Sequence, residues 1–213
     1  MSLLRGLAVF ILSSIFILSV FMAITAYTLA PLIQKDSITA FFRSASLSVV
    51  NDQCQKDCSQ YTDYKDTCLQ TCPTELTNQT ETGVDDAVNS IYQQKFFGVT
   101  LEQMSALLSQ YVLLLVIGIV TAVMLLFVSK NPFSTLGKDF ATLAASLFIS
   151  SFTPQFIIAS VNLPFNFGDA IKNYFSAGFN QQFQYAVVFM VSGIILIVID
   201  YLLSRRESKT EKK

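Results

Sequence analysis

A chain of 213 residues with 52% hydrophobic and only 14% charged side chains is too apolar for an ordinary water-soluble domain, and its formal net charge of −1 provides no general attraction for nucleic acid. The absence of histidine excludes His-based catalytic triads and imidazole ligation of haem or of most transition metals. Neither a Walker loop nor a dinucleotide fingerprint is present, so the common nucleotide chemistries lack their phosphate cradle.

The few charges are clustered and leave four uncharged gaps: 29 residues between Arg5 and Lys35, 27 between Glu102 and Lys130, 29 between Asp139 and Asp169, and 27 between Lys172 and Asp200. About 20 apolar residues suffice to cross a bilayer as a helix, and backbone groups in hydrocarbon must be satisfied within the segment itself. The expected fold is therefore an all-α integral membrane protein with four transmembrane helices and a small disulfide-stapled helical extracellular domain between helices 1 and 2. Orientation follows from Arg5, Lys130, Lys138, Arg205, Arg206, Lys209, Lys212 and Lys213, which fall on one side of four spans. That side is expected to be cytoplasmic, with both termini inside and residues 34–100 outside a cell membrane. Between residues 34 and 104 five basic residues face ten acidic ones, a net of −5, which argues further against nucleic acid as a partner.

Residues 1–33 form the first span. The apolar run from Gly6 to Leu32 exceeds the roughly 7 to 15 residues of a signal-peptide core, so it is expected to be a signal-anchor helix, with Pro31 kinking it or marking its exit from the membrane. From Asp36 the chain becomes amphipathic, with Ile38, Phe41, Phe42, Ala45 and Val49 at helical spacing after a cap at Asp36 or Ser37.

All the cysteines then follow within Cys54-Gln-Lys-Asp-Cys58 and Cys68-Leu-Gln-Thr-Cys72, two Cys-x-x-x-Cys pairs separated by nine residues. Cysteines four apart lie on one helical face, so two such helices joined by a turn can be pinned together; of the three possible pairings an antiparallel hairpin favours Cys54 with Cys72 and Cys58 with Cys68. Each bridge is expected to stabilise by roughly 2 to 4 kcal/mol. An outward location is also where disulfides persist. The pattern resembles the twin Cys-x3-Cys helical hairpin of small mitochondrial intermembrane-space proteins; the resemblance covers residues 54 to 72 and implies hairpin geometry alone. A four-thiolate zinc site is the competing reading, although structural zinc favours Cys-x-x-Cys spacing. A quinone-linked thiol-redox enzyme is another, although the Cys-x-x-Cys of such enzymes is missing here.

Residues 71–83 are rich in Thr, Glu and Asn and read as a surface loop that contains the sequon Asn78-Gln79-Thr80, a candidate glycosylation site at Asn78. A further helix is expected from about Val84 to Phe97. The carboxylates Asp63, Asp66, Asp85 and Asp86 lack the alternation of a calcium loop and read as a solvated acidic surface. No metal or cofactor is expected.

The membrane part, residues 101–204, starts at a capping box formed by Thr100 and Gln103, and its first helix is expected to run to Lys130, before Asn131-Pro132. The third span, from about Thr135, carries Thr142, Ser146 and Ser150 at four-residue spacing, a possible pore lining or helix-packing stripe, and Pro154 is expected to kink it. Near 166–183 an amphipathic interfacial helix is expected from Phe167, Ile171, Phe175, Phe179 and Phe183, which repeat every four residues. The last span, about Tyr185 to Leu203, precedes a charged tail at 205–213. No ionisable residue occupies the central part of any span, and Asp200 sits near an inner end close to Arg205.

These features point to a non-enzymatic polytopic membrane protein in contact with lipid, acting in assembly or partner recognition as a homo-oligomer or as a subunit of a membrane complex. A channel subunit using the hydroxyl stripe is the alternative reading, and a thiol-redox enzyme the third.

Overall fold

The computed structural model describes residues 2–60, 65–96, 98–160 and 167–210. In chain order it contains α1 (Ser2–Ile33), α2 (Lys35–Cys58), α3 (Lys65–Gln93), a hairpin of β1 (Lys95–Phe96) and β2 (Val99–Thr100), α4 (Leu101–Leu108), α5 (Tyr111–Val128), α6 (Pro132–Ser160) and α7 (Phe167–Thr210). Two compact units divide the chain, one built from Met1–Leu29, Leu108–Ile157 and Ser176–Lys213, the other from Ala30–Leu107 and Ile158–Phe175.

The first unit is a helical bundle whose core is small and whose outside is apolar. Phe16 on α1, Leu125 on α5 and Leu136 on α6 form one buried cluster, and Ile24, Leu143, Leu147 and Ala186 form another across α1, α6 and α7. Rings of Phe16 and Phe140 stack with centroids 5.6 Å apart, and Phe140 meets Phe189 edge-on at 5.3 Å. Two glycines bring α6 and α7 into backbone contact. A Cβ on Gly193 would lie 2.8 Å from the carbonyl oxygen of Gly137, and a Cβ on Gly137 would lie 2.8 Å from that of Gly193, so only glycine permits this approach.

Among the described residues three helical stretches are long and apolar enough to cross a membrane: Leu3–Ile33, Leu101–Val128 (α4 and α5 together) and Tyr174–Arg205. Only 28%, 17% and 11% of their most apolar stretches are buried within the protein, so most of that surface needs an apolar environment from outside. Residues such as Ile119, Val123, Ile194 and Val198 point outward without a protein neighbour to cover them. The expected third span lies in α6, which is not among these three; the side chains of its last eight residues, 153–160, lie outside the described ones.

The second unit is organised by an antiparallel pair, α2 and α3. Bridges join Cys54 to Cys72 and Cys58 to Cys68, and Arg43 pairs with Asp85 at 3.2 Å further along the same two helices. The paired residue numbers add to 126 in both bridges and to 128 in the ion pair, so one register holds from the stapled end to the far end. Val50, Cys54, Cys58, Val84 and Val88 are buried between the helices. After α3 the chain reverses through β1 and β2, where Lys95 faces Thr100 and Phe96 faces Val99. Gly98 has φ of 86°, a left-handed conformation that glycine adopts without steric penalty. Entry to α4 is fixed reciprocally: the Gln103 backbone N–H donates to Thr100 Oγ1 at 3.2 Å, and the Thr100 N–H donates to Gln103 Oε1 at 3.1 Å.

Several local boundaries differ from the sequence expectations. Residues 71–83, expected as a loop, belong to the continuous helix α3. The bridges already hold its first two turns, so the costly nucleus exists and the Thr, Glu and Asn residues need only propagate it. The cap of α2 is Gln34, with φ −62° and ψ 140°, and not Asp36 or Ser37; the helix begins immediately after α1, and the Gln34 carbonyl accepts from Ile38 N–H at 3.0 Å. A break at Ser109 and Gln110 separates α4 from α5 where one uninterrupted helix was expected. No separate interfacial helix precedes the last span among the described residues, since α7 runs unbroken from Phe167 to Thr210.

Candidate functional site

Within the stapled unit the beginning of α2, the end of α3 and α4 leave a polar cleft. A cavity of about 410 Å³ is lined by Gln34, Lys35 and Asp36 of α2 and its cap, Asn89, Tyr92 and Gln93 of α3, and Glu102 and Ser105 of α4. A second cavity of about 480 Å³ shares Lys35, Asp36 and Asn89 with it and continues past Thr39 and Ala40 to the Arg43–Asp85 pair. The helices place these residues together because α2 and α3 run antiparallel in the bridged register, which brings the first turn of one beside the last turns of the other.

Tyr92 anchors the inner wall. Its hydroxyl donates to the carbonyl of Ile33, one of the last carbonyls of α1, which have no partner within their own helix. Tyr174 donates to the neighbouring Leu32 carbonyl at 2.6 Å, so two phenols from different helices terminate α1 in this unit. Burial, and then the negative charges of Asp36 and Glu102, raise the pKa of the Tyr92 hydroxyl above its ordinary value of 10.0. The cleft thus combines two carboxylates, an ammonium group, a guanidinium–carboxylate pair, amides and hydroxyls along one continuous wall. Such a surface can accept and donate hydrogen bonds to an extended polar segment and match charges of both signs. Among the described residues no group of three or more His, Cys, Asp or Glu side chains is arranged to hold a metal ion.

The residues singled out by sequence occupy different surroundings. All four cysteines are in the bridges, with Cys54 and Cys58 buried between the helices. Asn78 falls on the backbone of α3, and its side chain lies outside the described residues, as do those of Phe167 and Ile171. Phe175 is half-buried, Phe179 buried and Phe183 exposed against Phe148 at 5.6 Å and Phe152 at 6.3 Å. A four-residue repeat advances about 40° past a full turn each time, so the stripe rotates by about 80° from Phe175 to Phe183 and does not keep one environment.

Thr142 donates to the Lys138 carbonyl at 3.0 Å and Ser146 to that of Thr142 at 3.0 Å, both within α6. Ser150 differs: besides the Leu147 carbonyl at 2.9 Å, it donates to Gln182 Oε1 on α7 at 3.2 Å. Gln182, only 2% exposed, in turn donates through Nε2 to Thr28 Oγ1 on α1 at 2.9 Å. This three-helix clamp was not expected from sequence, nor was Asp139, which is 7% exposed and accepts from Ser13 Oγ at 2.8 Å. Gln182 is one of four amides, with Asn180, Gln181 and Gln184, just before the last span, and nothing local sets it apart from the others or identifies its partners. The cleft residues Asn89 and Tyr92 were likewise unmarked, because they become neighbours of Lys35 and Asp36 only through the α2–α3 register.

No family model matches the sequence, and comparisons with curated proteins and with solved structures find no match. What can be argued about function therefore rests on the chemistry of the chain itself.

Proposed function

We propose that this chain is a non-enzymatic polytopic membrane protein in which residues 34–100 form a rigid extracellular recognition domain, and which works as a homo-oligomer or as a subunit of a larger membrane complex. The observation that carries this reading is the polar cleft on a hairpin stapled twice at its other end. Preorganised walls bind a partner with less loss of conformational freedom than mobile ones, and the bridges supply that rigidity in a domain with few buried apolar residues. Disulfides belong to non-cytosolic compartments, and the excess of Lys and Arg in the residues flanking the other ends of the apolar helices supports cytoplasmic termini. In this reading α6 is the fourth crossing helix, its hydroxyls satisfied by carbonyls of its own helix and by Gln182.

The test is the mass of the protein extracted gently from its native membrane, measured by light scattering with the detergent contribution subtracted. A mass well above one chain is expected, falling to one chain when Asn89→Trp fills the cleft while the melting temperature is retained. A strict monomer without any stable companion in the unmodified protein would overturn the proposal.

A further inference from the structure

Away from the cleft, the helical bundle has an apolar groove of about 290 Å³ between α1, α5 and α7, bounded by Val20, Ala23 and Tyr27, by Tyr111 and Leu115, and by Phe189. All three helices are long and apolar enough to span a membrane, so in the membrane reading above, on which this inference rests, the groove opens to hydrocarbon and not to water. Its dimensions choose between occupants. From Val20 to Tyr27 the groove follows seven residues of helix, about 10 Å at 1.5 Å per residue, so its mean cross-section is about 30 Å². A second helix, about 10 Å across with its side chains, is wider than the groove and would seat only side chains in it, whereas a single aliphatic chain can lie along its length. At one end Tyr27 and Tyr111 meet edge to face with centroids 5.3 Å apart, and tyrosines suit the junction between polar headgroup and hydrocarbon. The floor is Ala23, whose small side chain leaves the space that a larger residue would fill.

We infer that this groove is a lipid-binding site that holds one acyl chain of a membrane phospholipid, with its ester end at the Tyr27–Tyr111 pair. The chain gains protein contact along three walls, where the outward faces of the same helices offer contact on one side. Residence there is therefore longer than on the general lipid-facing surface.

The experiment reconstitutes the full-length protein in phosphatidylcholine vesicles containing a phospholipid with a photoreactive acyl chain, irradiates them and maps adducts by mass spectrometry. The expected result is a several-fold excess of adducts at Leu115 and Tyr111 over Ile119 and Val123, which lie on the same helix and are at least as exposed, at 55% and 46% against 43% for Leu115. Leu115→Phe, a change at a partly exposed position, should bring the Tyr111 yield down to that of Ile119 and Val123. Equal yields in the unmodified protein would overturn the inference whatever the variant does, and so would chain-to-chain adducts in the groove, which would assign it to a second copy. Flotation of the protein with its vesicles tests membrane insertion separately, so failure of the membrane reading is distinguishable from failure of the lipid site.

Discussion

Replacing Gly193 by Ala tests whether the α6–α7 contact governs the stability of the bundle. The added Cβ would sit 2.8 Å from the Gly137 carbonyl oxygen, 3.2 Å from the Ala141 nitrogen and 3.3 Å from the Phe140 Cβ. Ordinary contact begins at 3.4 Å, so the helices must part locally by about 0.6 Å, and the blocking atoms are mainly backbone, which cannot rotate aside. A gap of that size forfeits about a quarter to a half of each dispersion contact along the seam, and overpacking of this kind costs about 1 to 3 kcal/mol. Opposing it is the gain of about 1 kcal/mol from replacing glycine inside a helix. Because backbone atoms block the added group, the upper part of the overpacking range applies, about 2 to 3 kcal/mol, and overpacking wins for a net loss of about 1 to 2 kcal/mol. Gly83 supplies the control, because a Cβ there meets nothing within 4 Å and Gly83→Ala should stabilise α3 by about 0.5 to 1 kcal/mol. The assay is thermal unfolding in one detergent, followed by circular dichroism. A Gly193→Ala protein as stable as the unmodified one would refute the close-contact argument.

Two further outcomes follow from the stapled unit. The outer bridge, Cys54–Cys72, encloses the inner one, so with Cys58–Cys68 intact it closes an additional loop of only about ten residues; Cys54→Ser with Cys72→Ser should lower stability by roughly 2 to 3 kcal/mol, read from denaturant unfolding without reductant. For Tyr92, whose folded pKa is raised, the neutral phenol favours the fold; its contribution is complete below the unfolded value of 10.0 and is lost as pH rises through the higher folded value. The difference in melting temperature between the unmodified protein and Tyr92→Phe should accordingly be constant from pH 7 to about 9.5 and shrink above pH 10, whereas a difference independent of pH would remove the role given to the hydroxyl.

What could be read from sequence was local. Thr100 and Gln103 are three residues apart and satisfy each other through adjacent backbone groups, so their capping box needs no knowledge of the fold. Cysteines four apart define a helical face in the same way, and charge-free gaps define apolar helices. Longer-range facts left no such mark. Gln182 meets Thr28 across 154 residues and Asp139 meets Ser13 across 126, pairings fixed by bundle packing and not by spacing. Residues 71–83 were misleading for a related reason, since their composition favours a turn while two covalent bonds at the preceding cysteines favour continuation of a helix. The four-residue phenylalanine repeat departs from 3.6 residues per turn, so its positions wind around the helix, by about 80° from Phe175 to Phe183.

The nested bridges also bear on the order in which the protein is made. Their partners are 10 and 18 residues apart, and α2 and α3 are consecutive, so everything required to oxidise the hairpin has been synthesised before the first residue of α5 leaves the ribosome. The bundle is discontinuous in sequence and cannot close until Ser176–Lys213 has been added to Met1–Leu29. Short loops close early and distant segments late. The stapled hairpin of α2 and α3 can therefore form while the helical bundle, and the part of its own unit supplied by residues 158–175, are still to be made.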